Sequence, residues 1–163
     1  MNIVAFDTET HLIAPGLLTP KLVCVSVRLD YEDCGTLLFD RFAGTDYVES
    51  LLNDPLNHLV GHNVAYDLGV LCARRPELIP LVFEAYKQGR IWDTKVRQEL
   101  LDIASGRSVR NGATFALRNG ERVKAGYSLA GLAGHYFGKD RFAEKTDPNA
   151  WRLRYAELED VPL

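Results

Sequence analysis

Ile3-Val4-Ala5-Phe6-Asp7-Thr8-Glu9-Thr10 is the stretch on which the reading of the chain turns. Its first four residues are an unbroken apolar run, the pattern of a strand buried on both faces. Two acids follow at once, with one residue between them. Alternate side chains of an extended chain point the same way, so Asp7 and Glu9 project from one face at the end of that strand. Two carboxylates about 4 Å apart repel by about 4 kcal/mol at an effective dielectric of about 20. A cation placed between them removes that penalty, and all-oxygen ligation suits Mg²⁺ or Mn²⁺ rather than zinc.

Working outward, Lys21–Leu29 alternates around Val23, Val25 and Val27, and Gly35–Asp40 is a third apolar segment. The two short links, after strand one and after strand two, favour an antiparallel meander of strands one to three. Thr45 is a candidate N-cap for a helix bearing Val48, Leu51 and Leu52, and Asp54-Pro55 ends it. Leu59-Val60-Gly61, reached through that helix, is expected to run parallel to strand one. Gly61-His62-Asn63-Val64-Ala65-Tyr66-Asp67 then reads as strand, turn and helix, with Asp67 in the first turns. Pro76 and Pro80 divide the next region into two helical pieces.

Arg90–Thr94 is a brief strand capped into a helix whose apolar face is Val96, Leu100, Ile103 and Ala104. Asn119-Gly120 is a strong two-residue hairpin signal and centres a small hairpin near 113–124. Ser128 caps a helix carrying Leu129, Leu132, Ala133 and Tyr136, which Gly138 stops. A last helix is predicted from Asn149 to about Glu159.

If strands one and four are neighbours, Asp67 comes to the same sheet edge as Asp7 and Glu9. Open α/β sheets place ligands at the carboxyl ends of their parallel strands. Three carboxylates there would hold two divalent ions that clamp a phosphodiester and polarise a water. A dinucleotide-binding reading fails, because strand one leads into Asp-Thr-Glu and not into a glycine-rich turn.

The totals fit this picture. With 163 residues the chain has enough length for one domain over 1–163. A net charge of −3 argues against a general nucleic-acid coating protein, while 87–124 carries nine Lys/Arg against four Asp/Glu. Cys24, Cys34 and Cys72 show no paired spacing, as expected of a reduced intracellular chain. No apolar run approaches the roughly 20 residues of a membrane span, and the start lacks a leader-like pattern.

Phe6-Asp7-Thr8-Glu9-Thr10 resembles the first motif of the DEDD (DnaQ-like) 3′–5′ exonucleases, and Gly61-His62-Asn63-x-x-x-Asp67 resembles their second. Ser128-Leu129-x-x-Leu132 with Tyr136-Phe137-Gly138 is similar to the helix before their third motif. The nearest likeness is to the proofreading domain of family A DNA polymerases of phages and bacteria. The resemblance implies an RNase H-like α/β fold: a five-stranded mixed sheet flanked by helices, antiparallel in strands 1–3 and parallel beyond. It implies a metal-dependent exonuclease acting on single-stranded or frayed DNA 3′ ends, in the cytoplasm of a bacterial or phage-infected cell. A polymerase domain in the same or a partner chain is the implied associate, and no membrane is involved.

On that resemblance Asp7 bridges two Mg²⁺ or Mn²⁺ ions, Glu9 holds the one that activates water, and Asp67 holds the one on the leaving-group side. Thr8, Thr10, Leu12, His62 and Asn63 fall where the terminal nucleotide is bound. Two of these have local readings as well: Asn63 suits an Asx turn, and Leu12 suits ordinary packing. Asp93 reads as a helix cap, Trp92 and Trp151 as core, and His135 as a surface or packing residue. Tyr155 and Glu159 have the spacing of the family's third motif, with Asp160 one further. Tyr155 and Asp160 do not share a helical face, and Pro162 discourages helix at Val161. The third motif is therefore expected to be missing, as in a fragment or a naturally shortened relative. Two rival readings use the same residues: an RNA 3′-end exonuclease, and a non-catalytic module that binds nucleic-acid ends.

Overall fold

The computed structural model describes residues 1–30, 35–105, 114–116, 122–124, 127–138 and 154–159. The chain comprises two compact units, Met1–Asp93 with Trp151–Leu163, and Thr94–Ala150.

The first unit is built on a five-stranded sheet of β1 (Asn2–Thr10), β2 (Leu22–Leu29), β3 (Thr36–Asp40), β4 (Asn57–Gly61) and β5 (Ile91–Asp93). Its order is β3-β2-β1-β4-β5. β1 and β2 pair antiparallel, as do β2 and β3, while β4 lies parallel to β1 and β5 parallel to β4. The meander followed by parallel strands is the arrangement that the link lengths predict. Val4, Phe6 and Thr8 are buried on one face of β1, with Val25 and Val27 of β2 and Leu59 of β4 in the same core.

Helices α1 (Arg41–Asn53), α2 (Val64–Arg74) and α3 (Leu78–Lys87) supply Val48, Leu51, Leu52, Leu68, Leu71, Leu78 and Val82 to that core. α1 starts earlier than its sequence suggests. Asp40, the last residue of β3, is the N-cap, and its Oδ1 accepts from the N–H groups of Phe42 and Ala43 at 2.7 and 2.8 Å. Thr45 is instead buried inside the helix, its Oγ donating to the Arg41 carbonyl at 2.6 Å. Only Pro76 breaks the region between α2 and α3; Pro80 lies in the first turn of α3, where its missing N–H has no intrahelical partner to lose.

α1 rides directly on β2. A Cβ at Gly44 would stand 2.6 Å from Val25 Cγ2 and 2.7 Å from Val25 Cβ. Both partners are buried in close-packed surroundings, so Gly44→Ala is expected to cost about 1–3 kcal/mol. A lower urea midpoint at unchanged slope is the observation that checks it.

The second unit contains α4 (Thr94–Ala104), the antiparallel pair β6 (Thr114–Ala116) and β7 (Arg122–Lys124), and α5 (Leu129–Phe137). The hairpin's strands form where expected; its Asn119-Gly120 turn lies outside the described residues. Ser128 Oγ caps α5 by accepting from Gly131 N, and Gly138 ends it at φ +65°. His135 is exposed and meets the Tyr136 ring edge-on at 4.8 Å.

α4 departs from its sequence pattern. Val96, Leu100 and Ile103 are exposed, and the buried side chains are Gln98 and Asp102. Gln98 donates to Asp102 at 2.9 Å, Tyr136 donates to Gln98 at 2.5 Å and Tyr127 donates to Asp102 at 3.2 Å. A buried polar face is tolerated when its groups are hydrogen-bonded to one another, which periodicity of apolar residues does not detect. The predicted helix from Asn149 is also not seen in its described part: Arg154 is non-helical and Tyr155–Leu158 is a single 3₁₀ turn. Among the described residues, no helix is long and apolar enough to cross a membrane.

Candidate active site

The parallel pairing of β1 with β4 stops at Ala5 opposite Val60. β4 ends at Gly61, and the chain turns into α2. A Cβ on Gly61 would stand 2.8 Å from Val64 Cγ2, so the turn closes only on glycine. Asn63 takes φ +66° at the head of α2 and its side chain makes no cap bond to the helix. Its use there is the left-handed backbone, which Asn tolerates better than most residues.

Asp93, at the end of β5, does the capping. Its two carboxylate oxygens accept from the backbone N–H groups of Asn63 and Val64 at 3.1 and 3.0 Å. It thereby caps the start of α2. A carboxylate there also complements the positive end of the helix dipole.

This turn carries Asp67 to β1. Beyond Ala5, β1 has no β4 partner, and the Thr8 N–H donates to Asp67 Oδ1 at 3.0 Å. The Thr8 hydroxyl donates to the same oxygen at 2.6 Å. Asp67 is 3% exposed and Thr8 6%. The acid of α2 therefore docks on the residue between Asp7 and Glu9. Thr8→Val removes the hydroxyl donor from a buried carboxylate and is expected to cost about 1–3 kcal/mol, read from chemical unfolding near neutral pH.

Alternation along β1 sends Asp7 and Glu9 to the opposite side from Thr8, toward Ser26 and Cys24 in the register of β2. The three acids still share a field. Burial first, and then the Asp67 charge, push Asp7 up to about 6 against donation from the Thr8 N–H. Asp7 reaches solvent, but the surrounding sheet edge displaces enough water for burial to be the larger effect. Burial likewise dominates at Glu9, with Asp7 and Asp67 adding to it, and brings it to about 7. Asp67 is raised chiefly by burial and also by Asp93, opposed by its Thr8 bonds. Cys24, facing the same acids from β2, is raised to about 11 by burial and by Glu9 and Asp7.

Tyr155 reaches this cluster from the other end of the chain, its hydroxyl donating to Glu9 and lowering the Glu9 pKa. Burial and the Glu9 carboxylate raise the tyrosine's own pKa. Glu159 does not join the acids. Its Oε2 is 2.8 Å from His11 Nε2, its Oε1 is 2.6 Å from Arg41 Nη1, and Lys21 Nζ bonds the same Oε1. These donors hold its carboxyl down to about 2.

The remaining candidates lie at the end of β1, in the loop after it and in the turn before α2. Thr10 shares a hydrogen bond of 2.9 Å with the Tyr66 hydroxyl of α2. His62 is half-buried in the turn before α2. Leu12 is 63% exposed, which removes ordinary packing as its explanation. Trp92 is half-buried, with its indole N–H on the Gly89 carbonyl at 2.9 Å and its ring 5.1 Å from that of His58.

Among the described residues, no group of three or more His, Cys, Asp or Glu side chains is arranged to hold a metal ion as it stands. The donor chemistry nevertheless fits a hard divalent cation: carboxylate oxygens with no thiolate or imidazole among them. Burial first, and neighbouring carboxylates second, raise all three carboxyls, and an opposite charge placed beside them would favour their ionised forms.

Sequence reading missed Asp93 as part of this edge, although Trp92-Asp93-Thr94 repeats the pattern of Phe6-Asp7-Thr8 at the end of a parallel strand. It also missed Tyr66 and the destination of Tyr155.

Comparison with known proteins agrees with the sheet. A search of curated proteins gives no match. Among solved structures, the exonuclease (EXO) domain of Nibbler from Aedes aegypti is similar with a TM-score of 0.55 and 15% identity. The likeness covers 96% of this chain and 72% of that one, and at this identity it speaks for the RNase H-like fold alone. The model of the DNA_pol_A_exo1 family, described as 3′–5′ exonuclease, matches residues 1–152. A match over that much of the sequence, on a sheet of this order, makes the chain a member of the 3′–5′ exonuclease family.

Proposed function

We propose that this domain is a metal-dependent 3′–5′ exodeoxyribonuclease that trims single-stranded or frayed DNA ends, as the proofreading part of a polymerase in a bacterial or phage-infected cell. The observation that carries it is the docking of Asp67 on Thr8, which gathers acids from two distant parts of the chain at one sheet edge. Exonuclease domains of this family generally use divalent metals. Asp7, Glu9 and Asp67 would hold two such ions, Mg²⁺ or Mn²⁺. Bound there, they would supply Lewis-acid polarisation of the phosphodiester and a nucleophile at neutral pH.

The chain's own residues do the rest. Thr8 fixes one Asp67 oxygen, so that this carboxylate presents the other. Tyr155 bonds Glu9 and so sets its direction and its proton affinity. Leu12, exposed three residues after Glu9, is the apolar surface proposed for the last base, and Thr10, His62 and Asn63 are the residues proposed to contact the terminal nucleotide. Glu159 is engaged by three basic side chains, so the fourth acid of the family's third motif is assigned to residues other than Glu159.

The test is digestion of oligonucleotides labelled at the 5′ end, with Mg²⁺ or Mn²⁺, comparing DNA with RNA and the parent with Asp7→Ala. A ladder shortening from the 3′ end of DNA, abolished by chelator and by the substitution, is the expected result. Faster loss of RNA makes the domain an RNA trimmer. Binding of 3′ ends without any shortening makes it a non-catalytic module.

A further inference from the structure

We propose that His11, Lys21 and Arg41 form a phosphate subsite, which a phosphodiester of the bound strand enters in exchange for the Glu159 carboxylate. This rests on the exonuclease reading for the kind of ligand, and on the sheet for its place. His11 directly follows β1, Lys21 directly precedes β2, and Arg41 directly follows β3. These are three neighbouring strands. The residues are therefore a row just outside Glu9, Cys24 and Asp40, which the strand register aligns across the sheet.

The row is built, not incidental. His11 N–H donates to the Lys21 carbonyl at 2.9 Å, which ties two of the positions together. The Arg41 guanidinium lies 5.0 Å from the centre of the Phe42 ring, and Arg74 lies 4.4 Å from the same ring. Burial first, and then Arg41 and Arg75, lower the Arg74 pKa against Asp40 and Asp46, so Arg41 stands within a wider group of charged side chains. Glu159 presents its two oxygens to His11, Lys21 and Arg41. A phosphodiester presents two anionic oxygens in the same way and satisfies the same donors.

The spacing suits a strand. His11 is two residues beyond Glu9, about 7 Å at an extended rise of about 3.4 Å per residue. That is close to the step between successive phosphates of an extended strand. A strand whose 3′-terminal linkage lies at the acids has further phosphates only on its 5′ side, so the subsite takes an upstream phosphate. Lys21 is 55% exposed, which leaves a way in.

The test measures binding apart from cleavage. Anisotropy of a fluorescent single-stranded DNA is followed in chelator over a salt series, for the parent, Lys21→Gln and Glu159→Gln. Lys21→Gln is expected to weaken binding several-fold and to reduce the salt slope by about 0.7, the value of one single-strand phosphate contact. Glu159→Gln is expected to tighten binding several-fold, because the competing anion is gone. Parent-like binding by Lys21→Gln overturns the subsite, as does unchanged or weaker binding by a folded Glu159→Gln. Should Glu159→Gln fail to fold, exposed Lys21→Gln decides alone. A parent that binds by these rules but cleaves nothing with Mg²⁺ or Mn²⁺ sinks the exonuclease reading and leaves the subsite. A parent that cleaves while the variants bind like it sinks only the subsite, and a parent that binds no strand sinks the subsite.

Discussion

Asp7→Asn is expected to abolish 3′-end digestion and, at pH 8 without metal, to raise the melting temperature. The two effects have one cause. Asp7 is pushed up to about 6 by burial and by Asp67, which means that its ionised form is held in the fold at a cost. The amide is nearly the same size and carries no charge, so the fold loses a repulsion and no packing. Catalysis loses a carboxylate whose proposed role is to hold cations at the reacting phosphate. Removing one electrostatic element of such a site costs on the order of 10²–10³-fold in rate. Sites built for chemistry commonly trade stability in this way. Initial rates on labelled DNA and thermal melts in chelator measure the pair. An Asp7→Asn protein that digests within a few-fold of its parent removes Asp7 from the catalytic set. One that is inactive but melts lower shows that the acid has a structural partner instead.

Mg²⁺ or Mn²⁺ is expected to stabilise the protein at pH 8 and to do little at pH 5. Asp7 moves from 3.8 to about 6 and Glu9 from 4.5 to about 7, both upward in the folded state. Between these limits the folded chain binds more protons than the unfolded one. Stability from these groups is thus fully present below about pH 4 and is lost as pH rises through about 6 to 7. Above that range the acids are ionised, and divalent ions bind them and return stability. At a hundred times its dissociation constant, a ligand contributes about 2.7 kcal/mol. For a chain of this length that is about 5–10 °C in Tm. Below pH 5 protons occupy the same oxygens and compete with the metal. Melting curves with and without each ion at the two pH values check the sign. An equal shift at pH 5 and pH 8 places the binding elsewhere, and no shift at either leaves the acids without the cations proposed for them.

Several features were legible because their causes are local. Alternation in Lys21–Leu29, the short link before β3 and the helix before Leu59 are enough to order the sheet as meander then parallel strand. Ser128 and Gly138 mark α5, because a cap and a left-handed stop each act within one turn of their own position. Asp7, Glu9 and Asp67 could be picked out together because strand alternation and the β1–β4 pairing follow from those same patterns. Thr45 fits a cap by residue type alone, but the cap of α1 is Asp40. The end of β3 leaves Asp40 extended at the mouth of α1, the backbone that a cap needs, while Thr45 falls inside the helix.

Only the tertiary structure decided which distant groups meet. Asp93 accepts from the N–H groups of Asn63 and Val64, thirty and twenty-nine positions before it, and Glu159 is bonded 148 positions away at His11 and 118 away at Arg41. The polar face of α4 is inside because Tyr127 and Tyr136 answer Gln98 and Asp102. A carboxylate, an amide or a phenol has no intrinsic preference among the donors and acceptors of a whole chain. Its partner is fixed by where the backbone carries each group, and periodicity along the sequence holds no record of that.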